Sequence, residues 1–381
     1  VTPVAAQLAE TIRRLGPLPF DRFMDVALYA EPDGFYASGG GAGRAGRDFI
    51  TSPEVGSLFG VLVARALDGF WSRLDEVDPY LVVEAGAGRG TLARDVLRAA
   101  PACARALRYV LVERSPALRE VQSDRLQLEL AREVLGPVVQ GADPDEPPEV
   151  IAGSGPLVTA LAALPAVPMT GVVFANELFD NLPFRIAEST ATGWSEVRVT
   201  LAGDQFGEVL VPAEDGFAAG LPDAPPGLRL PVHVGMAEWL RACAATLRRG
   251  WLVVVDYAAP TAELVERPAH AWLRTYADHG PAGDVLREPG TKDITTDVNL
   301  DALARAAHDA GFVIERQLPQ AQWLRELGVD DLAAAGRREW EARAGVGDVP
   351  ALAARSRVSE AAALTDPAGL GAHTVVVLRR V

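Results

Sequence analysis

Short apolar runs, each bounded by glycine, proline or a charge, recur along the chain and read as buried strands. Tyr80–Val83 runs into Glu84, Arg108–Val112 into Glu113, Gly171–Ala175 into Asn176, and Trp251–Val255 into Asp256; Phe312–Arg316 and Thr374–Leu378 come later. Between and around them, apolar residues recur three and four positions apart. That spacing predicts helices over Val55–Trp71, Thr91–Arg98, Pro116 to about Val134, Leu157–Leu164, Met236–Leu247 and Leu300–Ala310. Helices over Gln320–Leu327 and Asp331–Ala344 precede the last strand. Strands too apolar to face water, alternating with helices, give an α/β fold around a largely parallel sheet.

Two stretches break the alternation. Before the first strand, Val4–Leu15 and Pro19–Tyr29 have helical periodicity, Asp33-Gly34 marks a turn with a short extended piece at Phe35-Tyr36, and a glycine-rich loop follows. Residues 1–78 therefore read as a mostly helical extension, and 79–381 as the sheet domain. Within the latter, 184–234 reads as a β insertion with loops, its short strands punctuated by Gly193, Gly203 and Gly207, and 318–360 as a helical one. A short strand is expected in Gly136–Gln140, and a surface turn in Asp143–Pro148.

The chemistry starts where the first strand ends. Glu84 is followed by Gly86, Gly88 and Gly90, and then by a helix. Glycines in a strand-to-helix turn let a ligand approach the backbone, and the helix start adds unpaired N–H groups. A dinucleotide fingerprint has a different spacing and no carboxylate at Glu84, which would repel a pyrophosphate. A cationic cofactor without phosphates, such as S-adenosylmethionine, suits Glu84 and the three glycines; the bland alternative is a tight βα turn. Glu113, about 29 positions further on, ends the second strand where a carboxylate can accept from ribose hydroxyls. Ser115-Pro116 then opens a helix as N-cap and first-turn proline.

A second polar group follows the buried strand Gly171–Ala175. Asn176 is placed to contact the cofactor, and Glu177 and Asp180 put two carboxylates at the end of the sheet where α/β proteins build their sites. The alternative is that the two acids cap a turn.

Composition narrows the class. A net charge of −15 opposes binding to a nucleic-acid backbone. Cys103 and Cys243, in Ala/Leu-rich stretches, read as reduced core residues, and no spacing of His, Cys, Asp and Glu suggests a metal site. The charge-free stretch Val150–Asn176 is interrupted by Gly153, Gly155, Pro156, Pro165, Pro168 and Gly171, so no membrane span is expected. With no basic-then-apolar start, a soluble cytoplasmic protein is the expectation.

Taken together, several blocks resemble the MidA-like family of methyltransferases, over roughly residues 20–328. They are Gly34-Phe35-Tyr36; Gly46 with Asp48-Phe49-Ile50-Thr51-Ser52-Pro53-Glu54-Val55; Phe59-Gly60; Glu84 with its glycines; and Glu113-Arg114-Ser115-Pro116. Asn176-Glu177-Leu178-Phe179-Asp180 with Leu182-Pro183, Asp256-Tyr257, Arg274 with Tyr276 and His279, and Asp293-Ile294-Thr295 with Asp297-Val298 complete them. Asn181 departs from the family's usual Ala, Ala258 from Gly, Asp297 from a common His and Pro319-Gln320 from Thr-Gln, and the part after Gly328 diverges. The resemblance implies a Rossmann-like class I sheet that binds S-adenosylmethionine, with Thr51, Ser52 and Glu54 in a segment that closes over it. It implies methyl transfer to an arginine of a partner protein, whose guanidinium Glu177 and Asp180 would hold. Three alternatives stand beside that: a small-molecule acceptor, a non-arginine peptide group, or a non-catalytic assembly factor. Ser52-Pro53 also reads as a plain helix start, and Asp293, Thr295 and Asp297 as caps for the helix near Leu300. His279 and Tyr276 are weaker candidates for proton transfer and hydrogen bonding.

Overall fold

The computed structural model describes residues 2–40, 51–136, 139–140, 149–150, 154–277 and 280–380. Gly46, Asp48, Phe49, Ile50, Asp143–Pro148 and His279 lie outside the described residues. The chain forms two compact units, 50–176 with 243–255 and 313–381, and 1–49 with 177–242 and 256–312.

The first of these holds the seven-stranded sheet. Its strands, numbered within this unit, are β1 (Tyr80–Ala85), β2 (Leu107–Val112), β3 (Leu157–Leu161), β4 (Met169–Asn176), β5 (Leu247–Asp256), β6 (Phe312–Pro319) and β7 (Thr374–Arg380). Their order across the sheet is β3-β2-β1-β4-β5-β7-β6. The five strands β3 to β5 in that order run parallel, with Leu81 of β1 opposite Arg108 on one side and Gly171 on the other. The order reverses between β1 and β4, the position where α/β sheets place ligands beyond the strand ends. Valines on both faces of these strands explain why: β-branched side chains suit a sheet covered on both sides. Val82, Val172 and Val253 join Phe59, Leu62, Leu92 and Trp323 in one continuous core.

The helices of this unit include α1 (Ser52–Val55), α2 (Ser57–Arg73), α3 (Thr91–Arg98), α4 (Pro116–Ser123), α5 (Gln320–Glu326), α6 (Val329–Arg343) and α7 (Val349–Leu364). Three sequence expectations need correction. Leu157–Leu161 is a strand, not a helix: pairing with β2 overrides the local preference of its Ala and Leu. The helix from Pro116 ends at Ser123, and a separate one spans Ala131–Leu135. The helix expected from Met236 spans Val234–Thr246, and Leu247–Gly250 already belong to β5. Within Gly136–Gln140, the described strand is Val139–Gln140, paired with Glu149–Val150.

The other unit contains the expected β insertion. Strands Arg185–Thr190, Gly193–Ala202 and Gln205–Pro212 form an antiparallel ribbon, flanked by Arg229–Val232 and by Leu18–Pro19. Helices Pro3–Leu15 and Phe20–Tyr29 contribute Leu8, Phe23 and Met24 to a core that includes Phe184, Trp272 and Ile294. Phe35-Tyr36 is a turn instead of an extended piece, with Phe35 and Tyr36 backbone nitrogens donating to Ala27 and Leu28 carbonyls. Among the described residues no helix is long and apolar enough to cross a membrane.

Candidate functional site

The glycine turn is fixed by its neighbours. The N–H groups of Gly86 and Ala87 both donate to the Val112 carbonyl, at 2.9 and 3.0 Å, and Gln122 Nε2 donates to the Gly88 carbonyl at 2.7 Å. Gly86, Gly88 and Gly90 have φ of 71°, 50° and 75°, a region open to glycine at little cost. Among the described residues, a Cβ on Gly88 would meet no atom within 4 Å beyond its chain neighbours, which leaves room beside the turn for a ligand.

Both sequence-predicted acids meet at this turn. Glu113 Oε2 accepts from the Gly88 N–H at 2.9 Å and Oε1 from the Ser115 N–H at 2.8 Å. Burial pushes its carboxyl upward against those bonds. Glu84 Oε2 accepts from the Tyr109 hydroxyl at 2.7 Å, and burial raises its carboxyl to about 8. A buried acid with that value releases its proton readily when a cation arrives beside it. The residues present therefore fit a positively charged cofactor with hydroxyls.

Thr51, Ser52 and Glu54 occupy the start of α1 in the same unit. Glu54 Oε1 accepts from Thr91 Oγ1 at 2.7 Å, which ties the segment to the first residue of α3. Arg125 Nη1 donates to the same hydroxyl at 3.1 Å. Ser52 is not the helix cap: Thr51 holds that position without a side-chain bond, and Ser52 Oγ donates instead to Gln320 Oε1 at 3.1 Å. Asn176 is the last residue of β4.

Past Asn176 the chain enters the other unit, where Glu177 adopts φ 48°. A non-glycine residue there costs about 1–3 kcal/mol and persists only when its surroundings impose it. Asp256 imposes it. Its Oδ2 accepts from the backbone nitrogens of Phe179 and Asp180 at 2.8 and 3.3 Å, and its Oδ1 from that of Tyr257 at 2.9 Å. On the far side of the turn Asn181 Nδ2 donates to Asp293 Oδ1 at 2.9 Å and to the Ile294 carbonyl at 3.0 Å. The Tyr36 hydroxyl donates to Asp293 Oδ1 at 3.0 Å and to Asn181 Oδ1 at 3.2 Å.

Asp180 sits inside this cluster, 4% exposed, and its Oδ1 has no hydrogen-bond partner among the described residues. Burial raises its carboxyl to about 7, opposed by the Arg274 guanidinium. Asp293 is raised to about 8 by burial and by the Asp180 charge, and Asp256 is raised by burial and by the charges of Asp180 and Glu177. Arg274 Nη2 pairs with Asp297 Oδ1 at 2.6 Å, and its guanidinium lies 5.3 Å from the centre of the Tyr257 ring. The arrangement is a dense, buried acidic cluster in which Asp297 pairs with both Arg274 and Arg267, the latter at 2.8 Å, while Asp180, Asp256 and Asp293 are left for a further cation.

The sequence singles out Glu177 and Asp180 as site acids. Tyr36 and Arg274 enter only through the resemblance, Asn181 as a departure from it, Asp293 as a helix cap as well, and Asp256 as the end of a buried strand. Asp256 was the most accessible of these, since it closes the buried run Trp251–Val255 as Glu84 and Glu113 close theirs. The expectation that Asp293, Thr295 and Asp297 cap the helix near Leu300 is corrected: Asn299 does so, accepting from the N–H groups of Asp301 and Ala302. Tyr276 lies in the strand Leu273–Ala277. Cys103 and Cys243 are buried and unbridged.

Comparison with known proteins places this geometry. A family of S-adenosyl-L-methionine-dependent methyltransferases matches residues 62–317. The mitochondrial protein arginine methyltransferase NDUFAF7 of Rattus norvegicus is 29% identical over 352 residues, covering 87% of this chain and 75% of the relative. Its Drosophila melanogaster homolog is 29% identical over 330 residues, covering 81% and 71%. A COG1565 superfamily protein from Burkholderia thailandensis, bound to S-adenosyl-homocysteine, superposes with a TM-score of 0.78 at 29% identity, over 99% of this chain and 92% of that one. The expected cytoplasmic location does not stand, because the NDUFAF7 relatives are mitochondrial proteins. The absence of a secretory pattern does not separate cytosol from the inside of an organelle.

Proposed function

We propose that this chain, which belongs to the MidA-like family of S-adenosyl-L-methionine-dependent methyltransferases, methylates an arginine side chain of a partner protein. S-adenosylmethionine is its cofactor and supplies an electrophilic methyl group on a positively charged sulfur. Gly86, Gly88 and Gly90 give it a close approach to the backbone, Glu113 accepts from its hydroxyls, and Glu84 and Asn176 face its polar groups. Thr51, Ser52 and Glu54 cover it.

The acceptor reading is carried by one observation: Asp180, three positions after Glu177 in a turn that Asp256 holds, presents a buried carboxylate oxygen with no hydrogen-bond partner among the described residues. A guanidinium offers donors in a planar fork that such a pair can accept. Its charge also offsets the cost of burying Asp180. The carboxylates orient one nitrogen; that nitrogen forms its bond to the methyl carbon as the carbon–sulfur bond breaks. The surplus proton on the methylated nitrogen passes to a carboxylate and on to water. The names of the NDUFAF7 relatives as protein arginine methyltransferases support the same acceptor.

The test is incubation of cell-extract proteins with the enzyme and isotope-labelled S-adenosylmethionine, followed by mass spectrometry. Labelled methylarginine in a discrete set of proteins is the expected product. Label only in small molecules, or on an oxygen or another side chain, refutes the arginine assignment.

A further inference from the structure

The helices α6 and α7, in the part of the sequence that diverges most, have no role in the chemistry above. Yet α7 sends one buried carboxylate back across the unit. Glu360 is 8% exposed, and its Oε2 accepts from the backbone nitrogen of Leu58 at 2.9 Å, 302 positions away in the chain. Its Oε1 accepts from Ser356 Oγ at 2.8 Å. Leu58 lies in the first turn of α2, which has no cap from its own preceding residue, Gly56. Glu360 therefore supplies both an acceptor and a negative charge to a helix start that lacks them.

The fit depends on Gly56. A Cβ there would sit 2.1 Å from Glu360 Cδ. Gly56 has φ 165°, extended backbone that any residue adopts, so space alone requires the glycine. The residues just before it are Thr51–Glu54. They are held from the same side by Gln320, whose Oε1 accepts from Ser52 and whose Nε2 donates to the Leu364 carbonyl at the end of α7, at 3.2 Å. On the other side Glu54 meets Thr91 at the start of α3.

We infer that Glu360 is a positioning residue for the cofactor, the means by which the α6–α7 hairpin holds Thr51–Glu54 in its binding conformation. The inference rests on the reading that Thr51, Ser52 and Glu54 contact S-adenosylmethionine. Loss of the Glu360 contact lets the segment leave that conformation, and apparent affinity falls by the fraction of time it is away.

Calorimetry with S-adenosylmethionine on full-length variants tests it, beside thermal melting. Glu360→Ala should weaken binding about tenfold, the scale of a lost helix cap. Glu360→Gln keeps an oxygen for the Leu58 N–H and should bind within about threefold of the wild type. Gly56→Ala should weaken binding as Glu360→Ala does, and the double variant should be no weaker than Glu360→Ala, because the two changes break one contact. Asp348→Ala removes the cap of α7 itself, which accepts from the Ala351 N–H at 3.0 Å; it should lower the melting temperature and leave affinity unchanged. Wild-type affinity in Glu360→Ala, with weakened binding in Glu54→Gln, overturns the inference. Wild-type affinity in both Glu54→Gln and Thr51→Val refutes the underlying reading instead. Should Glu360→Ala fail to fold, Gly56→Ala decides, since it displaces the carboxylate and leaves α7 intact; wild-type affinity there also overturns the inference.

Discussion

The Asp256 carboxylate accepts a hydrogen bond from the backbone nitrogen of Phe179 at 2.8 Å. Two more backbone nitrogens, of Asp180 and Tyr257, point at the same group. A carboxylate that accepts three N–H groups fixes the course of the chain around it, and Glu177 keeps its left-handed backbone between these bonds. Asp256→Asn exchanges one acceptor oxygen for a donor that faces an N–H. Stability should drop by about 1–3 kcal/mol, the cost of a buried unsatisfied group. Methyl transfer should drop by at least about tenfold beyond any loss of folded protein, because Glu177 and Asp180 are misplaced. Denaturant titration and single-turnover transfer on the folded variant check both. A variant that is destabilised but transfers at the wild-type rate removes Asp256 from the site.

Backbone conformation and ligand contact can be separated in the glycine turn. Gly86→Val forces a β-branched residue to φ 71° and should cost both stability and S-adenosylmethionine affinity. Gly203 also has a left-handed φ, of 64°, but lies between strands of the β insertion. Gly203→Val should cost comparable stability, about 1–3 kcal/mol, and leave affinity unchanged. Calorimetry on the two variants distinguishes them. Equal S-adenosylmethionine affinity in Gly86→Val and wild type refutes the site assignment.

Burial raises Glu84 to about 8, Asp180 to about 7 and Asp293 to about 8. For each, the folded chain binds the proton more tightly than the unfolded chain, so unfolding releases protons between the two values. The stabilising contribution is complete below the unfolded carboxyl range and is lost as pH rises through about 7–8. The melting temperature of the unliganded protein should therefore fall between pH 5 and pH 9, by the sign of this linkage. Asp293→Asn removes one of the three acids and retains a side chain that can bond to Tyr36 and Asn181, so the slope should be shallower. An equal slope in the variant would show that Asp293 is already ionised in the folded protein.

The α/β fold and the sheet were legible because buried parallel strands announce themselves as apolar runs, and the polar residue closing four of them (Glu84, Glu113, Asn176, Asp256) marks the site end. Leu157–Leu161 escaped because it opens the Ala- and Leu-rich run Leu157–Leu164, whose spacing reads as a helix despite the β-branched Val158 and Thr159; pairing with Leu107–Val112 decides it. Glu84, Glu113, Glu177 and Asp180 were legible for their position after strands. Tyr36 and Asp293 were not, since what makes them part of a site is contact with a turn 100 or more residues distant, at separations from Asn181 of 145 and 112. Glu360 is the extreme case: nothing near it in the sequence suggests that its partner is Leu58.

The acceptor assignment predicts a division of labour that charge-neutral substitutions expose. Glu177→Gln and Asp180→Asn keep size and shape and remove charge. Neither residue belongs to the glycine turn, so S-adenosylmethionine affinity should stay within about twofold of wild type. Transfer to a verified arginine substrate should fall, because an amide offers one acceptor oxygen where the carboxylate offers two. For Asp180→Asn the loss should be about tenfold to a hundredfold, the scale of a charged hydrogen bond to a buried partner. The pH profile adds a second criterion. Asp180 must be ionised to hold a cation, so wild-type kcat/KM should fall as pH drops below about 7. In Asp180→Asn that acidic limb should move or vanish, while Glu177→Gln should keep it. Single-turnover methylation across pH 5 to 9, beside calorimetry for each variant, provides the comparison. An unchanged rate in both variants removes the two acids from the reaction. Lost S-adenosylmethionine binding in both would place them with the cofactor and not with the acceptor.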